Sequence, residues 1–218
     1  MTSEALEFPE LPEAPELSRE GEDALYELAI RAIRDSAEGA KEEDLGWIDE
    51  PPEVETPDLA LEVGVFVTIF YEEELRGCLG ITRATEPLRI SVPRMAHAAA
   101  SRDTRFPPVD RWELPYLRVE ITILGPLIRL PNEPEVLLRR LDPEVCGVSI
   151  RLRSRSGLLL PQVAKRLRWG AKELLEQVCL KAGLSSDAWT ARNVEILGFR
   201  ARSLPPRPVQ AASGEERS

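Results

Sequence analysis

The run Gly64 to Tyr71 reads Gly-Val-Phe-Val-Thr-Ile-Phe-Tyr, and it ties the middle of the chain to a sheet. β-Branched and aromatic side chains pack well on a pleated surface, and a nearly continuous apolar run predicts a strand buried on both faces. Glu72-Glu73-Glu74 separates it from Leu75-Arg76-Gly77-Cys78-Leu79-Gly80. That spacing predicts a β-hairpin, although its turn has neither Gly nor Asn. Period-two alternation puts Leu75, Gly77 and Leu79 on one face of the second strand and Arg76, Cys78 and Gly80 on the other. Glycine weakens a strand interior, so Gly77 and Gly80 predict the close approach of another backbone or a ligand. A guanidinium beside a thiol favours the thiolate, the form that attacks carbon or binds metal. Two readings of Cys78 therefore stand, a reactive thiol and a packing residue, since free cysteines are often buried.

The rest of the chain supplies helices and further strands. Leu25, Leu28, Ala29, Ala32 and Ile33 follow helical spacing, which predicts an amphipathic helix over about Glu20–Glu38 with Ser18 as N-cap. Residues 39–58 hold Pro51-Pro52 and Pro57 and read as an acidic loop without regular structure. After Pro87 a helical stripe runs through Leu88, Val92, Met95, Ala96 and Ala99, with Pro93 expected to kink or restart it. Asp103-Thr104-Arg105-Phe106-Pro107-Pro108 reads as a stiff loop, and Tyr116–Leu124 alternates as a half-buried strand. Asn132 is the expected cap of a short helix through Leu141. Val145–Arg155 sets Ser149, Arg151, Arg153 and Arg155 against Val148, Ile150 and Leu152, with a turn expected at Ser156-Gly157. Ala171–Ala182 has helical spacing that buries Cys179 and stops at Gly183. A helical turn around Ala188 and a strand from Val194 to Ala201 complete the domain. Residues 1–17 and 205–218, rich in Pro and charge, read as tails around a domain at 18–204.

Charge is divided unevenly along the chain. Residues 1–58 carry 19 acids and 4 bases, whereas residues 59–218 carry 19 acids and 24 bases. The mildly basic body could meet an anionic ligand or nucleic acid, but an acidic leader would compete for the same arginines. Few amides, many charges and 19 prolines suit a heat-adapted source, and a GC-rich genome would give a similar bias. The three cysteines are too few and too scattered for a disulfide framework, which fits a cytoplasmic setting. No apolar run is long enough to span a bilayer, and no P-loop, GxGxxG, CxxC or HExxH word occurs.

Three words, in order, resemble the AMMECR domain family. They are Leu75–Gly80, then Asp103–Pro108, then Leu159-Leu160-Pro161-Gln162-Val163 with Lys181-Ala182-Gly183-Leu184 and Trp189. The chain departs from the family pattern at Leu79, usually Ile, at Thr104, usually Pro, and at Cys146, where His often precedes the glycine. The resemblance implies an α+β fold of two subdomains, each a mainly antiparallel sheet with helices packed on it. It places the Arg76-Gly77-Cys78 word near a cleft between them. It also implies a shared pathway or complex with a Memo-like protein and a radical SAM protein.

Three functions of different classes follow. The first is binding of a small or modified anionic substrate. Cys78 is then nucleophile or thiol acceptor, Arg76 or Arg105 holds the anion, Gly77 and Gly80 line the site, and no metal or cofactor is required. His97, the only histidine, lies in an Ala-rich helix and is a poor candidate base. The second is a nucleic-acid-binding module using Arg139-Arg140, Arg151/Arg153/Arg155 and Lys165-Arg166-Arg168. The third is a non-catalytic partner protein that recruits a companion enzyme.

Overall fold

In the computed structural model, which describes residues 8–50 and 56–210, the chain is α+β with two separate antiparallel sheets. It divides into two compact units, Pro15–Leu124 with Arg202–Ser218, and Met1–Ala14 with Gly125–Ala201.

In the first unit, helix α1 (Arg19–Ala37) begins at Ser18, whose hydroxyl accepts from the Gly21 N–H at 3.0 Å and donates to Asp58. The cap satisfies one of the four N–H groups a helix start leaves open. Strands β1 (Val65–Tyr71) and β2 (Glu74–Ile81) form the expected hairpin. A two-residue turn at Glu72-Glu73 closes it, with Glu72 itself taking the left-handed conformation (φ 55°). The sheet order is β2-β1-β3-β8, with β3 at Leu117–Leu124 and β8 at Ala201–Ser203; β9 (Arg207–Pro208) also pairs with β3. Helix α2 (Leu88–Ser101) packs with α1 against the apolar face formed by Val65, Val67, Ile69, Val119, Ile121 and Ile123. α2 passes through Pro93 as one helix and does not restart there.

In the second unit the sheet order is β4-β7-β5-β6, built from Ile128–Arg129, Glu195–Phe199, Gly147–Leu152 and Arg155–Leu159. Helices α3 (Pro134–Arg140), α4 (Pro161–Leu167) and α5 (Ala171–Lys181) accompany it, and Leu137, Val148, Ile150, Leu174, Val178, Cys179 and Trp189 fill the core.

Several expectations are corrected. The β5–β6 turn lies at Arg153-Ser154, with Arg153 left-handed (φ 57°), so the arginines do not form one stripe. Arg151 is paired with Glu195 and Arg155 with the Gly183 carbonyl. Gly157 instead sits within β6, where a Cβ would press on the backbone of Val178 and Ala182. Asn132 donates to the Ala191 carbonyl, and Glu133 is the cap of α3. The strand expected over 194–201 splits at Arg200, so that β7 and β8 belong to different sheets. The acidic loop contains short 3-10 turns at Glu42–Asp44, Gly46–Asp49 and Pro57–Ala60, while 51–55 lie outside the described residues.

Both expected tails are shorter than sequence indicates. Ala14 and Leu17 are buried, and Glu13 and Glu16 pair with Arg200 and Arg202. At the other end β9 joins the sheet, Val209 is buried, and the Tyr26 hydroxyl donates to the Pro205 carbonyl at 2.7 Å. A few apolar side chains among prolines and charges suffice to anchor these segments, which composition alone does not reveal. Residues 1–7 and 211–218 lie outside the described residues. Among the described residues no helix is long and apolar enough to cross a membrane.

Gly77 shows how closely α2 approaches β2. A Cβ there would lie far inside contact distance of the Ala99 carbonyl oxygen, a backbone atom that cannot rotate away. Gly77→Ala should therefore destabilise the protein by about 2 kcal/mol or more. Thermal denaturation measures it, and an unchanged Tm would show that helix and strand separate freely.

Candidate functional site

β2 is an edge strand, and its register carries the site. Ile69 pairs with Gly77 and Phe70 with Leu75, which leaves Arg76 without an opposite residue. This one-residue β-bulge aims Arg76 off the ladder. Its Nε and Nη2 donate to the two carboxylate oxygens of Glu113 at 2.7 and 2.9 Å. Nη1 and Nη2 also donate to the carbonyls of Pro107 and Pro108 at 2.9 and 3.2 Å. The pair is well shielded, with side chains 12% and 8% exposed. Burial would raise the Glu113 carboxyl, but the hydrogen bond from Arg76, that from the Asp110 N–H and the guanidinium charge outweigh it, and the net shift is downward.

Two residues along, Cys78 points its peptide groups off the sheet edge. Its N–H donates to Asp103 Oδ2 at 2.9 Å, and its carbonyl accepts from Arg105 Nη2 at the long limit of 3.5 Å. Asp103 and Arg105 thus stand where a neighbouring strand would supply an acceptor and a donor. They also bind each other through Arg105 Nε and Nη2, at 2.9 and 2.5 Å. Asp103 is buried, whereas the Arg105 side chain is 54% exposed. Its hydrogen bond to Arg105 leads, with those from the Cys78 and Arg105 N–H groups, in holding the Asp103 carboxyl down at about 2 against its burial. The Phe106 ring lies beside both guanidiniums, 5.4 Å from that of Arg105 and 6.0 Å from that of Arg76.

The Cys78 sulfur is half-buried and accepts from Thr68 Oγ1 at 3.3 Å. The other two cysteines are in different surroundings. Burial first of all pushes the Cys146 thiol up to about 12 and the Cys179 thiol up to about 11.

The sequence-derived candidates therefore separate into two groups. Arg76, Cys78 and Arg105 come together through the loop Asp103–Pro108, so the first two of the three sequence words form one site. Gly77 faces the α2 backbone, and Gly80 lies under the ring of Phe66. Both fit the expected close approach, of protein atoms in each case. The third word belongs to the second unit, where Leu159, Ala182 and Trp189 are core residues. His97 is buried, with Nε2 donating to the Ala40 carbonyl at 2.8 Å. Among the described residues no three His, Cys, Asp or Glu side chains are grouped to hold a metal ion. Glu113 and Thr68 escaped sequence reading: the only signal for Glu113 is its place as the third residue after Asp110, in a capping box.

The depressed Asp103 pKa has a consequence for stability. Its folded value of about 2 lies below the ordinary 3.8, so the bonds stabilise the protein fully above pH 3.8 and are lost as pH falls towards 2. The loss should reach about 2 kcal/mol, and Asp103→Asn should abolish this component of the pH dependence in urea unfolding. Arg76→Ala, which strands the buried Glu113 carboxylate, should cost about 3 kcal/mol in the same assay at pH 7.

Comparison with known proteins places the chain in a wider group. Residues 26–204 match the AMMECR1 family. A protein of Methanopyrus kandleri is 36% identical over 202 residues, covering 89% of this chain and 94% of its own. One from Aeropyrum pernix is 35% identical over 202 residues, covering 89% and 84%. The crystal structure of an uncharacterised protein from Pyrococcus horikoshii superposes with a TM-score of 0.78 at 32% identity, covering 88% of this chain and 97% of that one.

Proposed function

This chain belongs to the AMMECR1 family, and from that premise we propose that the edge of β2 is a thiol-centred binding site for a small or modified anionic substrate. Cys78 is its nucleophile or thiol acceptor, and Arg105 is the cation that holds the anion. The observation that carries this reading is the state of Arg105. Asp103 and the Cys78 carbonyl fix one edge of its guanidinium, while more than half of the side chain stays exposed and Nη1 has no hydrogen bond among the described residues. A pre-positioned guanidinium binds a carboxylate or phosphate at a small entropic penalty. Arg76 is the clamp that positions the loop, since Glu113 and two carbonyls occupy its fork.

One observation favours a second reading, that of a recruitment surface for a companion protein. Trp112 and Tyr116 are exposed beside this loop, each against the ring of Tyr71. Aromatic side chains of this kind anchor protein interfaces.

Competitive alkylation separates the two. With iodoacetamide at pH 7, Cys78 should react at least about tenfold faster than Cys146 or Cys179. Arg105→Gln should slow Cys78 several-fold without changing the other two, as read by mass spectrometry of the native protein. No preference for Cys78, or an unchanged rate in the variant, would overturn the thiol-site reading.

A further inference from the structure

The register that places Cys78 also places an acid. Thr68 of β1 lies directly opposite Cys78 on one side and Glu120 of β3 on the other. Side chains directly opposite on neighbouring antiparallel strands share a face, so Cys78, Thr68 and Glu120 form one row across three strands. That face is the one turned away from the apolar side chains of Val67, Ile69, Val119 and Ile121. The row continues onto β8, where Ser203 Oγ is 3.5 Å from Glu120 Oε1 and 2.8 Å from Thr122 Oγ1. Thr68 and Thr122 are buried, while Cys78, Glu120 and Ser203 are half-buried.

We propose that Glu120 is the proton-transfer group of the Cys78 site, accepting the thiol proton across Thr68 and returning it to the ligand. The proposal rests on the thiol-site reading and adds the chemical class of ligand, a compound with a polarised double bond. The Cys78 S–H proton passes to the Thr68 hydroxyl, 3.3 Å away, as that hydroxyl hands its own proton through one water to a Glu120 carboxylate oxygen. The sulfur then bonds to the electrophilic carbon. The displaced π pair collects a proton from the Glu120 carboxyl on the neighbouring atom. The sum is addition of S–H across the double bond, with Glu120 regenerated and no further reactant consumed.

The surroundings of Glu120 suit this work. Desolvation, opposed by hydrogen bonds from Ser203 and Thr122, raises its carboxyl above the ordinary 4.5. Two arginines share its strands and are engaged elsewhere, Arg118 with Glu73 and the Pro206 carbonyl and Arg202 with Glu16. The other titratable group in its row is Cys78; Tyr26 of α1, on the opposite side of the sheet, feels its charge. A carboxyl that holds its proton nearer to neutrality than usual can both accept and donate.

The test compares two reagents on Cys78. Iodoacetamide forms the S–C bond as iodide leaves with the electron pair, and it needs no proton donor. Acrylamide adds at its β carbon and needs a proton on the α carbon. Glu120→Gln should lower the ratio of acrylamide to iodoacetamide rates by about tenfold, and Glu120→Asp should restore part of it. In the wild-type protein the ratio should fall as pH rises through the Glu120 ionisation, and it should be flat in Glu120→Gln. A ratio within about twofold of wild type in Glu120→Gln, or a flat wild-type profile, would overturn the assignment. The wild-type profile needs no variant and so stands even if a substitution unfolds the sheet. Failure of iodoacetamide to prefer Cys78 would instead overturn the thiol site itself.

Discussion

One unpaired residue in β2 governs the geometry of the site. Counting from the Glu72-Glu73 turn without interruption, Cys78 would face Val67, a core position under the helices. The bulge at Arg76 shifts the register by one, so Cys78 faces Thr68 instead. A one-residue slip turns a strand's side chains over, and here it sends the thiol to the polar face. The bulge persists because the extra residue is strongly held: Arg76 uses its fork on Glu113 and on two prolyl carbonyls. The same bonds fix the loop that brings Asp103 and Arg105 to the strand edge.

The acids near this strand show how environment divides one functional group into different states. Glu113 and Asp103 meet guanidiniums and backbone N–H groups, and both are held below their ordinary values. Glu120 meets only hydroxyls, which do not compensate its desolvation, and it rises. The cysteines divide in the same way, for Cys146 and Cys179 are enclosed by apolar neighbours while Cys78 lies at an edge beside Arg105.

Much of the architecture was legible because it is written in local periodicity. The β1–β2 hairpin, α1 with its Ser18 cap and the α5 stripe all follow from spacing within a single element. The features that escaped depend on partners distant in sequence. Glu113 lies 37 residues from Arg76, and Glu120 enters the row only through two registers, one of them shifted by the bulge. The Ser156-Gly157 turn failed for a related reason, since Gly157 answers to the backbone of α5 rather than to chain reversal. Arginine pattern alone likewise misled, because Arg153 occupies the turn itself and Arg151 and Arg155 are bound to Glu195 and the Gly183 carbonyl.

An edge strand is ordinarily guarded by devices that work at any pH, and the bulge at Arg76 is one of them. Here the peptide groups of Cys78 are guarded by an ion pair, Asp103 with Arg105, in which only the carboxylate holds the N–H. Protection of this edge is therefore conditional on ionisation. Strong acid protonates Asp103 and weakens its hold on the Cys78 N–H, while Arg105 keeps its charge. The strand that carries the thiol is thus the one whose guard depends on a single carboxylate.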